Sequence, residues 1–303
     1  MKTSPVSKAD LHRSVISVPP LCRNSSLRPD AVENSKLIRH IEAGGVSTLL
    51  YGGNANFYNI ALSEYEEVLG QLEAAAAADT WVIPSIGPQF GTAIDQAAIL
   101  KGYKFPTAML LPTLAASHPE GVRNAIPRIA EKAGIPLVLY VKDQGYVTPA
   151  VVRALVDTGV ISWIKYAVVR ENTAEDPLLA AIVDEVGTDL LVSGIGEQPV
   201  PAHWNHFGIR SYTSGCVCVA PALSQRMLLA MQAGDAATAE KIRLLFRALE
   251  ELRNANGPIA VLHLAVALAG IAKTGPMLPL LTDVAEGIHG DIQAAALKLL
   301  EHS

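Results

Sequence analysis

Lys165 stands in an otherwise apolar segment, Ser162-Trp163-Ile164-Lys165-Tyr166-Ala167, where strand alternation puts it on the same face as Trp163. That face is either the interior of a sheet fold or a surface covered by helices. In an interior the ammonium loses its water and its pKa falls from about 10.4 towards 7, a shift worth roughly 4–5 kcal/mol. The neutral amine so formed is a nucleophile. On a helix-covered face the stem would lie along apolar surface while the charged head reached water. Tyr140 ends a second apolar run, Leu137-Val138-Leu139-Tyr140. A phenol beside an imine-forming lysine can carry protons, whereas a lone tyrosine at a core edge simply keeps its hydroxyl in water.

The elements that must position these residues alternate along the chain. Short apolar runs fall at 14–19, 46–52, 80–87, 107–112, 136–141, 161–168, 189–196 and 208–219, and helical stretches at 30–43, 63–78, 92–101, 118–133, 148–157, 175–186, 199–206 and 221–232. Runs such as Leu137-Val138-Leu139 and Leu190-Leu191-Val192 are apolar without alternation, which predicts parallel strands covered on both faces. Ser63 with Glu66 reads as a capping box, Thr148-Pro149 as a helix start, and Gly44, Gly134 and Gly159 as helix stops. Eight such units over 14–232 predict an α/β fold, a (β/α)8 TIM barrel. Helices at 236–254, 258–273 and 284–301 predict a C-terminal helical extension over 233–303, and residues 1–13 read as a loose N-terminal arm.

Composition removes several classes of function. Of 303 residues, 50% are hydrophobic and 17% charged, enough for a large core and incompatible with a disordered chain. The net charge of −5 comes without any basic stripe, so no nucleic-acid partner is expected. The longest apolar stretch, 258–272, is shorter than the ~20 residues that span a bilayer, and no membrane segment is expected. The first residues hold no apolar run of a secretory signal, and three cysteines, Cys22, Cys216 and Cys218, fit a reducing, cytoplasmic setting. Cys216-x-Cys218 and His203-x-x-His206 each lack a second pair at zinc spacing, so no metal is expected. Gly194-Ile195-Gly196 is no nucleotide fingerprint and reads as pocket wall.

In such a barrel the active site lies at the C-terminal ends of the strands, where Tyr140 and Lys165 fall. With these residues in place the chain resembles the dihydrodipicolinate synthase / N-acetylneuraminate lyase family of Schiff-base aldolases and dehydratases. The shared features are Leu139-Tyr140 ending strand five, Ile164-Lys165 on strand six, Val18-Pro19 ending strand one, Leu62-Ser63-Glu64, and His118-Pro119-Glu120-Gly121. The resemblance runs from residue 14 to about 290. It implies that Lys165 forms the imine, that Tyr140 shuttles protons, that no cofactor is needed, and that the chain forms a homodimer or homotetramer. It also places Thr213 and Gly194 near the keto acid.

The chain departs from the family's pattern where the carboxylate is usually held. In place of Gly-Thr-Thr-Gly-Glu it reads Gly52-Gly53-Asn54-Ala55-Asn56-Phe57, so both hydroxyls are missing. The family's second tyrosine after strand four is replaced by Pro112-Thr113-Leu114-Ala115, and the arginine five residues past Tyr140 by Gly145. Asn54, Ala55 and Asn56 are then the expected carboxylate binders through amide and backbone N–H groups, with Lys142 or His118 as the nearby cation. Arg170, Glu171 and Asp176 read as loop charges near the barrel mouth, most of them solvated. Glu197, at the end of strand seven, either meets a substrate hydroxyl or does acid/base work, or is a solvated loop residue, the commoner case.

The expected function is a class I lyase acting on a 2-keto acid such as pyruvate or a 2-keto-3-deoxy sugar acid. A 2-keto-3-deoxy acid dehydratase, and a barrel that only binds a small carboxylate, are the alternatives.

Overall fold

A computed structural model describes residues 1–303. Its strands are β1 (Ile16–Ser17), β2 (Thr48–Tyr51), β3 (Trp81–Ile86), β4 (Ala108–Leu110), β5 (Leu137–Val141), β6 (Ile161–Tyr166), β7 (Leu191–Ser193) and β8 (Thr213–Ser214). All pair in parallel, in the order β7-β6-β5-β4-β3-β2-β1-β8, and a bridge between Ser193 and Tyr212 joins the two ends into a ring. Helix α1 (Lys8–Arg13) precedes the barrel. Then α2 (Ala31–Ala43), α3 (Leu62–Ala75), α4 (Phe90–Leu100), α5 (Pro119–Ala133), α6 (Pro149–Asp157), α7 (Pro177–Val186), α8 (Val200–Phe207) and α9 (Pro221–Gln232) each follow one strand. The expected (β/α)8 barrel is therefore present, covered on its outer face by helices as continuous apolar strands require.

Local chemistry explains most boundaries. The Thr148 hydroxyl accepts from the Val151 N–H and starts α6, while Gly134 ends α5 at φ +73°, a conformation that burdens any residue with a Cβ. Ser63, expected as a cap, lies inside α3; Ala61 holds the cap position without a side-chain bond. The first turn is fixed instead by Glu64, whose carboxylate takes a buried bidentate pair from Arg23. Strands β1 and β8 are only two residues long, shorter than their apolar runs; the run of β8 ends where Cys216–Cys218 turns into a 3-10 helix.

The arm is not loose. Ser7 and Asp10 form a capping box on α1, Leu11 is buried, and the Leu11 carbonyl accepts from Ser211 Oγ at the N-terminal end of β8. The chain start thus closes the barrel floor, opposite the face where a site is expected. Past α9 come α10 (Ala236–Asn256), α11 (Pro258–Leu268) and α12 (His289–Glu301). Helix α11 stops five residues short of its expected end, at Gly270 with φ +73°. Helix α10 packs against α9 and α11 and touches the 3-10 turn after β8, which brings it to the upper rim of the barrel.

Candidate active site

Strand alternation decides which way Lys165 points. The Tyr166 hydroxyl donates to Asp176 Oδ2 at the N-cap of α7, 2.7 Å away, so Tyr166 faces the helices and Lys165 faces the barrel interior. Tyr140 is the register partner of Lys165 across β5 and β6, as Val138 is of Trp163. The Lys165 Nζ lies 4.6 Å from the centroid of the Tyr140 ring. Lys165 is 4% exposed. Burial first, then the positive charges of Arg253 and Lys142, lower its pKa to about 7. The ring face favours the ammonium by about 0.5–2 kcal/mol, less than desolvation of an enclosed charge removes. A large share of the amine is therefore neutral at neutral pH. Burial, with the nearby Asp143 carboxylate, pushes the Tyr140 phenol up, so it remains a proton donor.

The residues around this pair come from four strand ends. A Cβ on Gly194 would fall 2.7 Å from the Ala167 Cβ and the Tyr166 carbonyl and 3.0 Å from Lys165 Cγ, so only glycine fits beside the lysine stem. Tyr212 and Ser214 bond to groups on the α9 side, Ser224 and Glu197, which turns Thr213 between them to the interior. In the β2–α3 loop the backbone N–H groups of Gly53, Asn54 and Ala55 donate to no protein acceptor. The Asn54 amide is fixed at both ends: Nδ2 donates to the Val18 carbonyl and Oδ1 accepts from Arg253. Asn56, at φ +55°, turns its oxygen back to Asn59 within the loop.

Other expectations are corrected. His118 caps α5, is exposed, and lines a separate cleft of about 650 Å³ with Phe90 and Arg128, away from Lys165. Asp176 is buried rather than solvated, and three donors, from Tyr166, Arg170 and the Leu179 N–H, hold its carboxyl below the usual range despite burial. Glu197 is fully buried: it accepts from Ser214 Oγ and Ser224 Oγ at 2.7 and 2.6 Å, and its N–H donates to Glu250 Oε1. Burial and the neighbouring Glu197 charge raise Glu250 well above the carboxylate range, and burial raises Glu197 as well. His203 is a core histidine bonded to Ser193 Oγ and lowered to about 4 by burial. The three cysteines are buried and unpaired, and no group of His, Cys, Asp and Glu side chains converges as metal ligands do.

Three residues near the site, Tyr58, Arg253 and Glu250, are not among the candidates the sequence offers, whereas Lys142 is. Tyr58 sends its hydroxyl to the Pro112 carbonyl, 3.3 Å away at the end of β4, close to where the family's second tyrosine is expected. Lys142 Nζ lies 5.8 Å from the Tyr58 ring centroid. Arg253 and Glu250 arrive from α10, outside the barrel units. Tyr58 was findable as an aromatic in the loop after strand two; Arg253 was not, because Arg243 and Arg247 on the same helix look alike in sequence.

The chain matches the model described as "Dihydrodipicolinate synthetase family" over residues 20–295. The chain belongs to this family. It is 27% identical over 266 residues to a "Probable 5-dehydro-4-deoxyglucarate dehydratase" of Rhizobium meliloti (strain 1021), covering 81% of this chain and 83% of that protein. Two solved structures share the fold. One is a dihydrodipicolinate synthase from Bacillus clausii, with TM-score 0.80, 21% identity and coverage of 97% and 98%. The other is a catalytic-lysine mutant of Ruminococcus gnavus sialic acid aldolase, with TM-score 0.85, 14% identity and coverage of 98% of each chain. As a family member the chain is a class I carbon–carbon or carbon–oxygen lyase, as the resemblance implied. The family works on small molecules through a lysine imine without an external cofactor, generally as oligomers. No helix of this chain is long and apolar enough to cross a membrane.

Proposed function

We propose that this chain is a dehydratase of 2-keto-3-deoxy sugar acids and that Lys165 forms the imine. The observation that carries the imine is the buried amine over the Tyr140 ring, held near pKa 7. Elimination is favoured over aldol cleavage by the named dehydratase relatives, of which the Rhizobium meliloti protein is one. The substrate in those names is a six-carbon keto acid with a carboxylate at each end.

The neutral Lys165 amine adds to the C2 ketone, and Tyr140 protonates the carbinolamine hydroxyl, which leaves as water. The resulting Tyr140 phenolate takes a proton from C3, giving the enamine. The enamine electrons then expel the C4 hydroxyl, to which Tyr140 gives that proton, so a second water leaves and Tyr140 is again a phenolate; it regains its proton from the water that attacks the conjugated iminium, which restores the phenol. Hydrolysis of the conjugated imine frees Lys165. A strongly raised phenol pKa suits this cycle, since its phenolate is a strong base that exists only between steps. The free N–H groups of Asn54 and Ala55 hold the carboxylate, and Thr213 and Gly194 line the space beside the imine carbon. Asn56 contributes by shaping the loop.

Residues 14–232 make the catalytic barrel in this reading, and 233–303 a helical extension that completes its rim. No cofactor beyond the Lys165 imine is used. The chain works in the cytoplasm as a homodimer or homotetramer, with three unpaired cysteines suited to a reducing compartment.

The test is to incubate the protein with 2-keto-3-deoxy acids and follow both substrate loss and pyruvate release. Loss without pyruvate, abolished by Lys165→Ala, supports dehydration. Stoichiometric pyruvate would show aldol cleavage instead.

A further inference from the structure

Arg253 is a half-buried cation with no anion. None of the ion pairs in the molecule includes it. Its Nε donates to the Pro258 carbonyl at 3.1 Å, one Nη2 hydrogen goes to Asn54 Oδ1 at 3.2 Å, and one Nη1 hydrogen reaches only the Cys216 thiol at 3.7 Å. A guanidinium has five donors, so two remain uncommitted. Glu250, one turn earlier on α10, forms no ion pair with it: that carboxyl accepts from the Glu197 N–H, and burial and the Glu197 charge raise its pKa against the opposing pull of Arg253.

The position is built rather than incidental. A Cβ on Gly215 would stand 2.7 Å from Asn54 Nδ2 and 2.8 Å from Arg253 Nη2, so glycine is what admits both side chains beside the end of β8. Asn54, which Arg253 grips, belongs to the loop whose Gly53, Asn54 and Ala55 N–H groups are free. Arg253 also lines, with Arg170, Glu171 and Glu250, a cleft of about 310 Å³ at the rim. In a 2-keto acid the carboxylate is bonded to the very carbon that the amine attacks, so its holder must stand close to Lys165. Of the two cations that act on Lys165, Arg253 acts more strongly, and Lys142 is exposed over Tyr58.

We infer that Arg253, delivered by α10 from outside the barrel, is the cation that holds the 1-carboxylate of the keto acid, together with the free N–H groups of Gly53, Asn54 and Ala55. This rests on Lys165 being the imine lysine. It supplies the charge of the missing arginine and the hydrogen-bond donors of the missing threonine hydroxyls, and it makes the helical extension part of the substrate site.

The experiment is borohydride trapping read by intact-protein mass spectrometry, with pyruvate and methyl pyruvate titrated against the unaltered protein, Arg253→Gln and Arg253→Lys. Methyl pyruvate presents the same ketone without the charge, so it absorbs any change in the Lys165 amine itself. The expected result is a rise of roughly 10–100-fold in half-saturating pyruvate for Arg253→Gln, with methyl pyruvate nearly unchanged and Arg253→Lys in between, in line with the loss of a charge-assisted bidentate bond. Equal shifts for both ketones, or none for pyruvate, would overturn the assignment. So would unaltered pyruvate binding with weakened binding of 2-oxoglutarate, which would put Arg253 at the distal end of the substrate. Absence of any adduct on the unaltered protein would refute the imine reading itself, a result distinct from an adduct whose pyruvate dependence ignores Arg253.

Discussion

Lys165 and Tyr140 are direct register partners on neighbouring parallel strands, and the lysine amine rests over the tyrosine ring 4.6 Å from its centroid. Two residues 25 positions apart in sequence thus share one water-poor space at the strand ends. The enclosure that lowers the lysine also raises the phenol, so at neutral pH the pair offers a nucleophile and an acid together.

The pH dependence follows from the lysine. Only the deprotonated amine attacks a ketone, so the rate of pyruvate trapping by cyanoborohydride should rise with pH and pass its midpoint near 7, where an ordinary lysine would pass it near 10.4. Lys142→Gln removes one of the charges that depress the amine and should move the midpoint upward. A midpoint above 9 in the unaltered protein would show that the amine is not desolvated.

Tyr140→Phe keeps the ring beneath Lys165 and removes only the proton carrier. Adduct formation should slow by about 10²–10⁴-fold, the usual scale for a general acid–base group, while the melting temperature stays nearly constant. Single-turnover trapping measures this, and an unchanged rate would assign the proton transfers to another group, with Tyr58 the phenol to test next.

Gly215→Ala tests the packing of the α10 contribution. Its methyl must displace the Asn54 amide and the Arg253 guanidinium, side-chain ends rather than backbone, so the fold should lose no more than about 1–3 kcal/mol while half-saturating pyruvate rises at least several-fold. Thermal melting beside an adduct titration separates the two effects. Unchanged pyruvate affinity would mean that the position of Arg253 does not matter.

The Glu197–Glu250 pair predicts a pH-dependent stability. Glu250 keeps its proton on folding, so the unfolded chain binds fewer protons above its ordinary pKa and stability falls as pH rises from there towards the folded value. Glu250→Gln makes the group permanently neutral and still offers an oxygen to the Glu197 N–H. It should match the unaltered protein near pH 4.5 and exceed it in urea unfolding by a margin that grows towards pH 8. Glu197→Ala, which strands two buried serine hydroxyls, should instead cost about 3–5 kcal/mol.

How far the sequence disclosed this molecule depends on whether neighbours in the chain or distant elements set each feature. The alternation of continuous apolar runs with capped helices disclosed the barrel, because the strand and helix periods are local. Lys165 and Tyr140 were legible because a charged group and a phenol stand out at the ends of apolar runs. Arg253 was not, since its use depends on where α10 lands on the rim, a matter of long-range packing that a mixed-charge helix does not reveal. The burial of Asp176 and Glu197 is illegible for a related reason: a carboxylate near a strand end looks solvated until its donors, Tyr166 and Arg170 for one and Ser214 and Ser224 for the other, are seen around it. The N-terminal arm was misjudged because Leu11 alone does not announce that it seats against the barrel floor.

The most direct test of the central claim is intact-protein mass spectrometry, with peptide mapping, after incubation with pyruvate and borohydride, run on the unaltered protein and on Lys165→Ala. The account predicts one reduced pyruvate adduct per chain, mapped to Lys165 and lost in the variant. No adduct with pyruvate or longer 2-keto acids, or an adduct that persists on another lysine in the variant, would contradict it.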